Sequence, residues 1–155
     1  MSRFLWKAVG IGVVVVQYGC IAHVGLNFVG DFVVCSGPSM QPTINSSDIV
    51  LTEHLTVFSQ QIERGDVVIA RSPSNPRQYI CKRVIGMAGD YIETHESTYS
   101  YKYVPRGHVW LEGDNSQNST DSRTYGAVPY GLLRSRVFFK IWPPSQFGSI
   151  HNNSR

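Results

Sequence analysis

The chain has 155 residues, 42% of them hydrophobic and 16% charged, with a net charge of +3 at pH 7. That length accommodates one compact domain with its own core, and the mild charge, without any basic run, excludes a nucleic-acid binder built on a phosphate-facing patch. Its three cysteines, Cys20, Cys35 and Cys81, are an odd number without metal-ligand spacing, which excludes a cysteine-built metal centre.

From Ala8 to Gly30 there is no Asp, Glu, Lys or Arg. As a helix this stretch spans roughly 34 Å, enough for a hydrocarbon core of about 30 Å. The expectation is one transmembrane helix within a membrane anchor over residues 1–34. Gln17, His23 and Asn27 lower its hydrophobicity, leave an interfacial or buried helix as the alternative, and offer a contact surface to a partner helix. The stretch is longer than the apolar region of a secretory leader and runs into Asp31 without an obvious small-residue cleavage site, so the anchor is expected to be retained. Arg3 and Lys7 precede it and the first basic residue after Asp31 is Arg64, which puts the short N-terminus on the cytoplasm-like side and the rest of the chain across the membrane.

Beyond the anchor, short β-branched and aromatic runs alternate with turn residues: Asp48 to Leu51, Gly65 to Ala70, Tyr79 to Ile85, Tyr91 to Thr94, His108 to Glu112 and Arg136 to Trp142. No later segment has helical periodicity, so residues 35–150 read as a mainly β, antiparallel barrel-like or sandwich domain, followed by a frayed tail at 151–155. The loops at Arg71 to Arg77 and Ser97 to Gly107 read as surface connections.

Three segments carry chemistry. Ser39 lies between Pro38 and Pro42, which restrict the backbone and make a good mount for a nucleophile; taken alone, the segment also fits a polar turn leaving the membrane. On a strand from Tyr79 to Ile85, alternation puts Ile80, Lys82 and Val84 on one apolar face, and Arg83 on the other as a solvated charge or surface pair. A lysine there either reaches solvent along its stem or is held neutral, which at pH 7 to 8 costs roughly 3 to 5 kcal/mol. The third segment, Gly113 to Gly126, is rich in short hydrogen-bonding side chains and places Asp121 two residues from Arg123, an arrangement suited to an ion pair that stiffens the loop. A calcium loop would need a closing Glu that is missing here. Cys35 and Cys81 read as two small buried thiols, with a disulfide between them as the alternative.

In order, Ser-Gly-Pro-Ser-Met-Gln-Pro-Thr at 36–43, Lys-Arg-Val-Ile-Gly-Met-Ala-Gly-Asp at 82–90 and Gly-Asp-Asn-Ser-Gln-Asn-Ser-Thr-Asp-Ser-Arg at 113–123 resemble the conserved boxes of type I signal peptidases. The single anchor, the Gly-Pro-Ser-Met form and the segment 129–143 look most like the mitochondrial members of that family. The resemblance implies a signal-peptidase-like β fold with Ser39 as nucleophile, Lys82 as general base, Ser119 orienting the lysine amine, and Asp121 with Arg123 as a supporting pair. Gly37 stands where bacterial relatives often carry an oxyanion-binding serine. The Ser39 N–H is then the natural oxyanion donor, with a second from the Gly37 backbone or the Ser36 hydroxyl. Neither metal nor cofactor is expected. The family implies a membrane-anchored serine endopeptidase that removes sorting segments from precursor proteins in the intermembrane space, with a homologous second subunit as partner. A bacterial-type plasma-membrane peptidase and a catalytically silent scaffold are the alternatives. Acceptor patterns for N-glycosylation at Asn45, Asn118 and Asn152 favour a compartment without that modification, since a glycan on Asn118 would crowd the site. No histidine among His54, His95, His108 and His151 lies in a triad-like constellation.

Overall fold

The computed structural model describes residues 2–94 and 100–150, without the side chains of 2–8, 24, 26–29 and 94. Thus His95, His151, the tail with its Asn152 acceptor pattern, and the side chains of Arg3, Lys7 and Asn27 lie outside the described residues.

A helix, α1 (Ser2–Val29), leads through Gly30 into β1 (Phe32–Val34). Among the described residues no helix is long and apolar enough to cross a membrane. The described α1 side chains run from Val9 to His23, about 22 Å at 1.5 Å per residue, and Gln17 interrupts them. The remainder is mainly β, as the alternation and turn spacing indicate. Strands β2 (Ile49–Glu53), β3 (Val67–Arg71), β4 (Tyr79–Gly86), β7 (His108–Glu112), β8 (Val128–Pro129) and β9 (Leu133–Trp142) join β1 in one antiparallel sheet. Its order is β1-β2-β9-β3-β4-β7-β8, with β10 (Gly148–Ser149) against β9, while β5 (Tyr91–Thr94) and β6 (Ser100–Tyr103) form a separate hairpin. Two one-turn helices, α2 (Leu55–Phe58) and α3 (Ser122–Tyr125), fill connections, and β6 corrects the reading of Ser97 to Gly107 as a surface connection, since Ser100–Tyr103 pairs with β5.

Strand β3 explains how the sheet curls around two cores. Val67, Val68, Ile69 and Ala70 are all buried, so both faces of the strand are covered. Val68 and Ala70 join Val84, Val109, Leu111 and Val128 in one cluster, and Val67 and Ile69 join Met40, Ile44, Val50 and Val137 in the other. Side-chain period two thus feeds successive residues to opposite cores.

This arrangement corrects the sequence expectation for Arg83. It lies on the face opposite Lys82, as alternation requires, but that face is the second core and not solvent: Arg83 is 5% exposed. Its charge is compensated by two hydrogen bonds to Asp114, Nε to Oδ1 at 2.8 Å and Nη2 to Oδ2 at 2.7 Å, and its Nη1 donates to the Gly65 carbonyl at 2.7 Å. A bidentate carboxylate is the arrangement a buried guanidinium needs.

Candidate active site

The segment after β1 is held from both sides. Met40 and Ile44 insert into the second core, at 3% and 1% exposure, fixing the chain immediately past Ser39. From the other side, Asn115 N–H donates to the Ser39 carbonyl at 3.0 Å and Asn115 Nδ2 donates to the Pro38 carbonyl at 3.1 Å. Gly113 permits this contact: a Cβ there would lie 2.4 Å from Ser39 O and 2.3 Å from Ser119 Oγ. Ser39 is left half-buried at the wall of a cavity of about 420 Å³.

Lys82 reaches the same cavity from β4. Its register partner is Val68, so it shares the face of Ile80 and Val84 against the first core, and only 3% of the residue is exposed. Lys82 Nζ donates to Ser119 Oγ at 3.0 Å, and Ser119 Oγ donates to Asp121 Oδ2 at 2.6 Å. Among the described residues no hydrogen bond joins Lys82 to Ser39. Burial lowers the Lys82 pKa from its ordinary 10.5, opposed by Asp121 and Cys81 and assisted by the Arg123 charge. The neutral amine is correspondingly favoured.

Asp121 is fully buried and organises the loop. It accepts from Gly113 N–H at 2.9 Å, from Arg123 Nε at 2.8 Å and from Arg123 Nη2 at 2.5 Å, besides Ser119. Burial alone would raise its pKa; the hydrogen bonds from Arg123, Gly113 and Ser119, with the Arg123 charge, outweigh it and hold the carboxyl below its ordinary value. Asp121 also caps α3 through the Arg123 N–H, and the neighbouring Ser122 Oγ accepts from Leu111 N–H at 2.9 Å, so β7 and the loop are tied together.

Pro38 offers no N–H, and the Ser39 N–H has no acceptor among the described residues. Gly37, at φ +94°, lies in the left-handed region and presents an N–H whose acceptor, Ser46 Oγ, is 3.5 Å away, too far for a strong bond. Both donors border the cavity. The structure therefore brings Gly37, Ser39 and Lys82 to one cavity, with Ser119, Asp121 and Arg123 linked behind the lysine. His54 bonds elsewhere, to Arg134 O and Asp31, and His108 to Arg106 O. Cys35 and Cys81 are free thiols, and both line the cavity.

Sequence reasoning missed Tyr125, which also lines the cavity; its buried hydroxyl has no partner among the described residues, and burial followed by the Asp121 charge pushes its pKa up to about 12. It also missed the packing role of Gly113. The signal for that glycine was its place at the end of a strand next to a loop that must turn back on itself.

Comparisons with known proteins agree in one direction. A family model described as signal peptidase, peptidase S26, matches residues 8–100 and 95–142. The chain is 62% identical over 138 residues to mitochondrial inner membrane protease subunit 1 of Homo sapiens, covering 87% of this chain and 83% of that one. It is 57% identical to the protein of the same name from Mus musculus, covering 96% and 92%. Mitochondrial inner membrane protease subunit 2 of Danio rerio is 44% identical over 119 residues, covering 74% of this chain and 65% of that one. A half-buried serine, a buried lysine of lowered pKa in the same cavity, and the match over most of the length lead to one statement: the chain belongs to the signal peptidase family, peptidase S26.

Proposed function

We propose that this chain is a membrane-anchored serine endopeptidase that removes hydrophobic sorting segments from precursors in the mitochondrial intermembrane space, using Ser39 as nucleophile and Lys82 as base. The observation that carries the reading is the buried Lys82 amine, held by Ser119 in the cavity that Ser39 borders. In its neutral form Lys82 accepts the Ser39 Oγ proton as Oγ attacks the scissile carbonyl. The Ser39 and Gly37 N–H groups face the developing oxyanion. Lys82 then protonates the leaving amine, and next takes a proton from the water that hydrolyses the Ser39 ester. Ser119 and the Asp121–Arg123 pair keep the amine oriented throughout.

The relatives' names support the compartment and a partner subunit homologous to this chain. The anchor reading rests on the uncharged stretch from Ala8 to Gly30 and on α1, where Val9, Ile11, Val13, Val14, Val15, Val16 and Ile21 stand exposed without a protein cover.

Cleavage of a membrane-inserted sorting-signal precursor across pH 6 to 10 tests the mechanism. Burial lowers the Lys82 pKa, so activity rises with pH along a limb below that of an ordinary lysine. Ser39→Ala, Lys82→Ala and Lys82→Arg are expected to lose at least about 100-fold in kcat. A Lys82→Ala variant that keeps most of its activity would remove lysine from the mechanism.

A further inference from the structure

Two thiols that the proposed mechanism does not use sit in the wall of its cleft. Cys35 follows β1, four residues before Ser39, and Cys81 immediately precedes Lys82 on β4. They come from segments far apart in sequence, yet both line the cavity, both pack against the core cluster of Met40 and Ile44, and each is partly buried and unoxidised. Each side chain is the foremost influence on the ionisation of the other, as neighbours in one wall must be. Cys35 is itself fixed by backbone bonds, its N–H to the Asp48 carbonyl and its carbonyl from the Ser47 N–H, both at 2.8 Å. Cys81 is fixed by its ladder position opposite Ile69.

We infer that Cys35 and Cys81 form a thiol–disulfide exchange site in the cleft wall, which takes a low-molecular-weight disulfide as oxidant and closes to a Cys35–Cys81 bond. The two thiols are not equivalent. The neighbouring Cys81 side chain lowers the Cys35 pKa against the opposing effect of burial, and the Cys35 side chain followed by burial raises that of Cys81. Cys35 is therefore the attacking group and Cys81 the resolving one. The Cys35 thiolate attacks one sulfur of the oxidant RSSR and expels one RS⁻, which takes up the Cys35 proton. The Cys81 sulfur, on losing its proton, then attacks the Cys35 sulfur of the mixed disulfide and expels the second thiolate, which takes up that proton. Two thiols give up two electrons and two protons, and the oxidant leaves as two RSH. The bond fastens the segment bearing Ser39 to the strand bearing Lys82.

The test uses the full chain in detergent micelles, equilibrated with mixtures of oxidised and reduced glutathione, then alkylated and mapped by peptide mass. The expected result is a linked Cys35–Cys81 peptide whose fraction rises with the oxidised share, with loss of two alkylatable thiols per chain and recovery under dithiothreitol. Cys81→Ser is expected to stop at a glutathione adduct on Cys35, and Cys35→Ser to give neither product at Cys81. Full alkylation of both thiols at every ratio, or adducts confined to Cys20, would overturn the inference. The mapping of the wild type requires no variant to fold. Because the readout is mass, it decides this site independently of whether Ser39 and Lys82 prove to be the reacting pair.

Discussion

At the scale of single residues, the site depends on groups that cannot grow or lose a partner. Gly113→Ala would press a methyl group against Ser119 Oγ and Ser39 O, at 2.3 and 2.4 Å in the present geometry. Relief requires moving either the Ser39 backbone or the serine that holds Lys82. The expected outcome is a loss of cleavage of at least about tenfold, with about 1 to 3 kcal/mol lost from stability, measured by peptide cleavage and denaturant unfolding. Lys82 itself imposes a cost on folding. Its folded pKa is lowered, so above that value the unfolded chain binds more protons than the folded one, and stability gains with pH up to the ordinary 10.5. At lower pH the penalty of the buried ammonium is present in full. Lys82→Met is therefore expected to be inactive and more stable than wild type at neutral pH, with the difference shrinking as pH rises toward 10.5; a difference independent of pH in unfolding experiments would contradict this.

At the scale of elements, the strands β3, β4 and β7 and the loop 113–126 behave as one assembly joined by the buried Arg83–Asp114 pair, whose side chains are 7% and 16% exposed. Asp114→Ala leaves a guanidinium in the second core without its carboxylate, and is expected to cost about 3 to 5 kcal/mol in denaturant unfolding. Replacing both partners, Arg83→Met with Asp114→Leu, is expected to recover most of that loss. The sequence made the strands legible wherever β-branched residues alternate, as from Tyr79 to Ile85, and singled out Ser39 and Lys82, which the fold brings to one cavity. It did not show what covers the far face of β4: alternation assigns Arg83 to a side, but only the packing of Met40, Val67 and Val137 makes that side a second core. For β6, Tyr101, Lys102 and Tyr103 are exposed and, among the described residues, the strand pairs only with β5, so no apolar alternation marks it.

At the scale of the whole molecule, the described part of α1 has little to do with the sheet: its neighbours there are few, and the apolar side chains from Val9 to Ile21 are exposed. Under the anchor reading, the full chain is expected to stay in the pellet when membranes are extracted with alkaline carbonate, whereas a chain starting at Asp31 is released; release of the full chain would show that α1 does not span. The two-sided burial of β3 has a further consequence, one of parity. Because neighbours on β4 serve different interiors, sliding that strand by one position against β3 would exchange Lys82 for Arg83 or Cys81, replacing a titratable amine with a permanent cation or a thiol, whereas a slide of two would restore the pattern of faces. A slip of β4 by one position is thus a harsher change to the site than a slip of two.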